Sequence, residues 1–154
     1  MTYFTTVTSP IGSLLLTTDN GALTGLRMGR SLPDPTWVRD DARFERVVRQ
    51  LDEYWTGNRT DFDIDLEPIG TPFQLKVWAA LRSIPYGTTI SYAELARRVG
   101  NPRAMRAVGR ANGANPIAVI VPCHRVIAAD GTLGGFGGGL TRKQKLLRLE
   151  GSLK

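Results

Sequence analysis

Cys123 and His124 are the only cysteine and the only histidine in the sequence, and they are neighbours. They follow an apolar run, Ile117 to Val121, and then Pro122, and they precede Arg125. A thiol becomes a strong nucleophile once it loses its proton, and a nearby imidazole or guanidinium favours that loss. The pair therefore points to nucleophilic chemistry at sulfur. The alternative is a cysteine used as small apolar filler beside a core histidine. Pro122 fixes its own φ and stiffens the chain where it leaves the apolar run. Glu150 is a candidate third member. It ends the last helical stretch, where the helix dipole disfavours a carboxylate, and Arg142 and Lys143 open that stretch with the equally unfavourable sign. Reversed charge at both ends implies partners elsewhere in the fold. Glu150 could orient His124 in a Cys–His–Glu relay, or it could be an ordinary surface glutamate.

A second group of residues suits a polyanion. Arg103, Arg106 and Arg110 fall at i, i+3 and i+7, one stripe of a helix expected from Arg103 to about Asn112. Between them stand Ala104, Ala107, Val108, Gly109 and Ala111, small enough for the helix backbone to approach another surface. Arginines among small residues fit a phosphate-lined groove; a solvated basic face is the alternative. Gly109 costs about 1 kcal/mol relative to Ala inside a helix, so a close-packed neighbour is expected there. The stretch from Gly131 to Gly139 carries six glycines around Leu133 and Phe136. It is not a Walker loop, because Leu140 follows Gly139 where lysine is required. Gly137 and Gly138 would let the backbone come close to a flat ligand, with Phe136 free to stack on it.

Charge divides the chain. Residues 1–70 hold seven basic and eleven acidic side chains, whereas residues 71–154 hold thirteen basic and three acidic. A basic second half suits a nucleic-acid partner. A single thiol forms no internal disulfide, and one Cys with one His cannot complete a Cys/His zinc site. No apolar run approaches the roughly 20 residues of a membrane helix. Residues 1–10 lack a basic segment followed by an apolar one. A cytoplasmic setting is expected, or a nuclear one in a eukaryote, without metal, membrane or organic cofactor.

The elements that must position these residues can be read from pattern. Tyr3–Val7, Leu14–Thr18 and Ala22–Met28 read as antiparallel strands, with Asp19-Asn20-Gly21 as a hairpin turn. Phe44, Val47, Val48, Leu51, Tyr54 and Trp55 give the periodicity of an amphipathic helix over 42–55. Phe62, Ile64 and Leu66 alternate with aspartates as in a half-buried strand. Residues 67–70 form a linker, which divides the chain into domains 1–68 and 69–154. In the second, Thr71-Pro72 starts a helix to about Ser83, and Ser91 to Glu94 reads as a capping box for a helix ending at Gly100. Two short helices, 91–100 and 102–112, have the size of a helix-turn-helix. Ile117–Val121 reads as a buried strand, and Thr141 with Gln144 as the capping box of the last helix. The fold class is α+β.

Pro122-Cys123-His124-Arg125-Val126, with Asn115-Pro116 upstream and Glu150-Gly151 downstream, resembles the signature of the O6-alkylguanine-DNA alkyltransferases, also called methylated-DNA–protein-cysteine methyltransferases. The resemblance covers residues 71–154; the first half fits in length and strand–helix pattern. It implies a ribonuclease-H-like sheet with a helix in the N-terminal domain and a winged-helix-like helix-turn-helix in the C-terminal one. The expected activity is irreversible, single-turnover transfer of the alkyl group of O6-alkylguanine, and of O4-alkylthymine, from double-stranded DNA to Cys123, by a monomer that binds the minor groove and flips the base. His124 and Glu150 would activate Cys123 through a water. Asn115 would order the turn before it, and Tyr92 would rotate the 3′ phosphate and protonate guanine N3. Arg106 would fill the space the base leaves. Val126 and residues 133–138 would wall the pocket. Phe136 and Gly137 depart from members that carry Tyr and Ser there, so backbone amides of the loop would replace a hydroxyl donor. Two other classes are open: a DNA-binding module that senses lesions without repair, which lacks the acceptor thiol, and a cysteine hydrolase, which usually draws Cys and His from distant segments.

Overall fold

The computed structural model describes all 154 residues except Arg30 and Gly137. It is a mixed α+β structure of two compact units, Met1–Ile69 with Pro116–Ala118, and Gly70–Asn115 with Val119–Lys154. Segment 116–118, which the sequence division gives to the second domain, lies with the first. Its backbone bridges Leu26, whose N–H donates to the Pro116 carbonyl (2.9 Å) and whose carbonyl accepts from Ala118 N–H (3.1 Å).

In the first unit, β1 (Tyr3–Ser9), β2 (Gly12–Thr18) and β3 (Leu23–Met28) form an antiparallel meander, and the two-residue β4 (Val38–Arg39) adds in parallel to β1. A 3-10 turn (Asp41–Phe44) leads into α1 (Glu45–Trp55), whose stripe Val47, Leu51 and Tyr54 is buried with Phe44. The alternation at 61–66 does not make a ladder. Apart from one bridge, Leu23↔Leu66, this stretch is extended without strand pairing. Gln50, buried on α1, holds it instead, accepting from Asp63 N–H (2.9 Å) and donating to the Asp63 carbonyl (3.2 Å).

The second unit begins with α2 (Pro72–Arg82), opened by a complete capping box between Thr71 and Gln74 with Pro at the first helical position. The helix-turn-helix consists of α3 (Tyr92–Arg98) and α4 (Met105–Gly113). Gly100 at φ +82° ends α3 in a Schellman motif, with Asn101 N–H donating to Ala96 O and Gly100 N–H to Arg97 O. The second helix starts later than its sequence pattern implies. Asn101 and Pro102 favour a β-turn, closed by Ala104 N–H on the Asn101 carbonyl (3.0 Å), which leaves Arg103 and Ala104 ahead of the first helical residue. At α3 only half of the capping box forms: Ser91 accepts from Glu94 N–H, while the Glu94 carboxylate pairs with Arg97 and Arg98.

The apolar run 117–121 is buried as expected but is not a strand. It is a turn, with Val119 at φ +70°, a conformation a β-branched residue adopts only when its surroundings impose it. Beyond it, β6 (Val126–Ile127) pairs in parallel with β5 (Ile90–Ser91). The last helix, α5 (Leu140–Leu149), has Gly139 as N-cap at φ +91°, so the Thr141 capping box is absent; Thr141 already lies inside the helix. No helix among the described residues is long and apolar enough to cross a membrane.

Gly25 in β3 tests the packing of the first unit, since an added Cβ would lie 2.5 Å from Thr17 Oγ1. Gly25→Ala should lower the unfolding free energy by about 1–3 kcal/mol. Urea denaturation should show part of that loss recovered when Thr17→Ala is added.

Candidate active site

The turn before Cys123 explains how that residue is held. Pro122 has φ −82° and ψ 65°, the centre of an inverse γ-turn in which Cys123 N–H donates to the Val121 carbonyl (2.8 Å). Two asparagines from the end of α4 hold this turn. Asn115 Nδ2 donates to Val121 O (2.7 Å), and the buried Asn112 Nδ2 reaches Cys123 O at 3.4 Å. A short 3-10 helix, Cys123–Arg125, then turns His124 and Arg125 into the interior.

There the structure brings Glu150, one of the residues that charge reversal singled out, onto His124 and Arg125. His124 is fully buried, and its Nε2 lies 2.8 Å from Glu150 Oε2. Arg125 grips the same carboxylate at both oxygens, Nε to Oε1 at 2.8 Å and Nη2 to Oε2 at 3.0 Å, and its Nη1 donates to the Ile84 carbonyl (2.6 Å). Arg125 therefore does not lower the thiol pKa, as its place in the sequence suggests; it keeps Glu150 ionised. An ionised carboxylate only accepts, so Nε2 of a neutral His124 carries the proton, and Nδ1, buried without a protein partner, presents a lone pair. Burial holds the His124 pKa below its ordinary value against the pull of Glu150. Glu150 is the C-cap of α5. Its position is fixed by Gly151 at φ +80° and a Schellman motif, Ser152 N–H to Leu147 O (2.9 Å) and Gly151 N–H to Arg148 O (3.1 Å).

Cys123 is 6% exposed. Burial pushes its thiol up, while the Asn115 side chain and the Lys143 ammonium pull it back. The adjacent His and Arg thus do not give a free thiolate in the resting protein. Sequence patterning marked Lys143 only as a misplaced charge, with nothing to identify it as a neighbour of the sulfur. Arg142, the other, donates to the Gly138 carbonyl (2.9 Å).

Tyr92, the first residue of α3, has its hydroxyl 3.4 Å from the Gly135 carbonyl, and its pKa is raised by burial and then by Cys123. Arg106 and Arg110 are exposed on α4; Arg103 is exposed in the turn before it, so the three-arginine stripe is not one helix face. Met105, Arg106 and Gly109 line an open, largely apolar groove of about 330 Å³ together with Tyr92, Ala93, Ala128 and Ala129. A Cβ at Gly109 would meet only ordinary contact with Tyr92, at 3.9 Å. The close neighbour expected there is not within the described protein; the glycine opens the groove instead. Ala104 and Ala107 are partly exposed. Val126 is fully buried, Phe136 is partly buried, and Gly137 lies outside the described residues. No cluster of three His, Cys, Asp or Glu suited to a metal occurs among the described residues.

Residues 2–68 match the ribonuclease-like domain, and residues 72–152 the DNA binding domain, of 6-O-methylguanine DNA methyltransferase. The chain belongs to that family. It is 51% identical to a Mycobacterium bovis methylated-DNA–protein-cysteine methyltransferase over 99% of this chain and 94% of that protein. A Methanosarcina acetivorans protein of the same name is 48% identical, over 97% of this chain and 99% of its own length. Among solved structures, Mycobacterium tuberculosis OGT in complex with DNA aligns with TM-score 0.93 and 51% identity, covering 97% of this chain and 93% of that one.

Two outcomes follow from the buried network. Arg125→Met leaves a buried carboxylate without its cation and should cost about 3–5 kcal/mol of stability by urea denaturation. His124 binds a proton near pH 6.5 in the unfolded chain but stays neutral in the fold. Stability should therefore fall as pH drops below about 6.5, because the unfolded state takes up the extra proton. With one histidine in the chain, denaturation curves from about pH 7 to about pH 5 report this effect, below the range in which Lys143, its pKa lowered by burial to about 8, loses its proton in the fold.

Proposed function

We propose that the protein repairs alkylated DNA by moving the alkyl group of O6-alkylguanine, and of O4-alkylthymine, irreversibly onto Cys123. The observation that carries this reading is the buried His124–Glu150 pair next to the buried Cys123 in the chain, with Nε2 tied to the carboxylate and Nδ1 unpartnered. Family membership supports it, as does the DNA-bound state of the aligned Mycobacterium tuberculosis OGT structure.

In this mechanism the thiol proton passes through a bridging water to His124 Nδ1, and Glu150 stabilises the imidazolium that forms. Arg125 keeps Glu150 charged, so the carboxylate supports that positive charge without taking the proton. Sulfur then attacks the alkyl carbon. The S–C bond forms as the C–O bond breaks, and the purine leaves as its oxyanion. Tyr92 donates a proton toward guanine N3, which neutralises the leaving group, and the proton first taken from sulfur balances the exchange. The product is a thioether. A thiolate is a poor leaving group from such a thioether, so each molecule acts once. Because the thiol is buried with a raised pKa, it reacts only when substrate and proton acceptor are aligned, which protects it from stray electrophiles.

A buried sulfur cannot reach a stacked base, so the guanine must leave the helix. The exposed Arg106 enters the space left in the duplex, with Arg103 and Arg110 on phosphates and the small surface of Ala104, Ala107 and Gly109 against the minor groove. Asn115 holds the acceptor turn. Val126, Phe136 and Gly138 close on the flipped base.

The deciding experiment is intact mass after incubation with a duplex containing O6-methylguanine. One methyl should appear per protein, on Cys123, and none in Cys123→Ala. Tight binding without a mass change would favour a lesion sensor, and turnover of a thioester would favour a hydrolase. Arg106→Ala should slow repair of the duplex by about tenfold or more while leaving reaction with the free base near normal; equal losses would remove the flipping role.

A further inference from the structure

The arginines and the small residues of α4 leave one side chain without a task. Met105, the first residue of the helix, is 49% exposed, and it is the one large apolar residue on the outer side of α4. The inner side is settled: Val108, Ala111 and Asn112 are buried, and Trp78 Nε1 on α2 donates to the Ala111 carbonyl (2.8 Å). Outside, residues four apart share a face. Met105 and Gly109 form one row, and Arg106 and Arg110 form another, about 100° further round the helix. Because Gly109 has no side chain, the space beside Met105 in its row stays open.

A single exposed methionine is ordinary on a protein surface. This one is part of a wall. It lines the groove with Tyr92, Ala93, Ala128 and Ala129, so apolar surface runs without a break beside the exposed Arg106. An occupant of such a groove has negative charge at its rim for Arg103, Arg106 and Arg110 and flat apolar faces inside. The minor groove of DNA has both, and α4 lies within the stretch that matches a DNA binding domain. A thioether has no N–H to offer a phosphate or a base edge. What it can do is displace water from apolar faces, and being unbranched it conforms to irregular ones. Faces of that kind appear in a duplex when a base leaves the stack, and minor-groove proteins insert apolar side chains at such steps.

We propose that Met105 is an apolar wedge, entering the minor groove beside Arg106 and packing against the base pair next to the everted guanine. This rests on the reading of the protein as one that flips O6-alkylguanine out of DNA. The two neighbours divide the work. Arg106, with its guanidinium, fills the space the guanine leaves; Met105 covers the stacking face that the adjacent pair loses, which lowers the cost of keeping the step open. A wedge of this kind matters only where there is a stack to open. It contributes to repair of a duplex and nothing to reaction with a base that is already free.

The test compares the full-length protein with Met105→Ala, Met105→Leu, which keeps apolar bulk, and Met105→Gln, which keeps length but is polar. Single-turnover methyl transfer is followed by intact mass on one O6-methylguanine oligonucleotide, used as a duplex and as a single strand, at protein concentrations below saturation. Met105→Ala should react with the duplex about tenfold more slowly, the scale of one buried apolar side chain, and with the single strand within about twofold of wild type. Met105→Leu should restore most of the duplex rate and Met105→Gln little of it. Duplex affinity, measured in the Cys123→Ala background, should weaken with Met105→Ala while its dependence on salt concentration keeps the same slope, because no phosphate contact is lost. Equal losses on duplex and single strand, wild-type duplex rates in Met105→Gln, or a changed salt slope overturns the wedge and leaves the functional reading standing. If the wild-type protein takes no methyl from the duplex, the functional reading and the wedge fall together.

Discussion

A carboxylate removed from water dictates most of the second unit. Glu150 is accessible to solvent only marginally, and a lone buried charge of that kind would neutralise itself or unfold its surroundings. Arg125 prevents both outcomes by meeting it at two oxygens. Once that pair is fixed, a neutral His124 has one possible tautomer, and its Nδ1 is left without a protein partner. The pair also joins regions distant in sequence, for Arg125 reaches the Ile84 carbonyl while Glu150 caps α5. Specificity of arrangement, more than net stability, is what a buried ion pair contributes here.

Much of this was legible in the residues. The unfavourable signs at the two ends of α5 exposed Arg142, Lys143 and Glu150 as residues held by something other than their own helix, and each has such a partner. The solitary Cys–His pair and the Thr71-Pro72 helix start were equally plain. What the pattern could not supply was direction. Arg125 looked like a cation for the thiol because sequence adjacency was the only geometry at hand; a 3-10 turn sends it the other way. Lys143 was visible as an anomaly but not as a neighbour of Cys123, since twenty residues and a glycine-rich loop separate them in the chain.

The misread elements share a cause. Runs 61–66 and 117–121 carry strand-like composition, and both are held by contacts that composition does not encode. Gln50 takes the backbone partners of the first, and Asn115, just after α4, holds the exit of the second. The strained φ of Val119 belongs to the same story, for it turns the chain sharply between a bridge to Leu26 and Cys123. Start signals misled where a stronger local motif competed: a turn at Asn101–Ala104 delayed α4, and Gly139 displaced Thr141 as the cap of α5.

The two-residue ladder between β5 and β6 has a consequence for how such a chain can vary in length. Ser91 pairs with Ile127 and at the same time caps α3, so a slip by one residue would uncap that helix and turn Val126 from the interior toward solvent. Insertions and deletions between these strands must therefore be absorbed in the turn between α3 and α4, since the connection after α4 is held by Asn115 on Val121 O and by the bridge to Leu26.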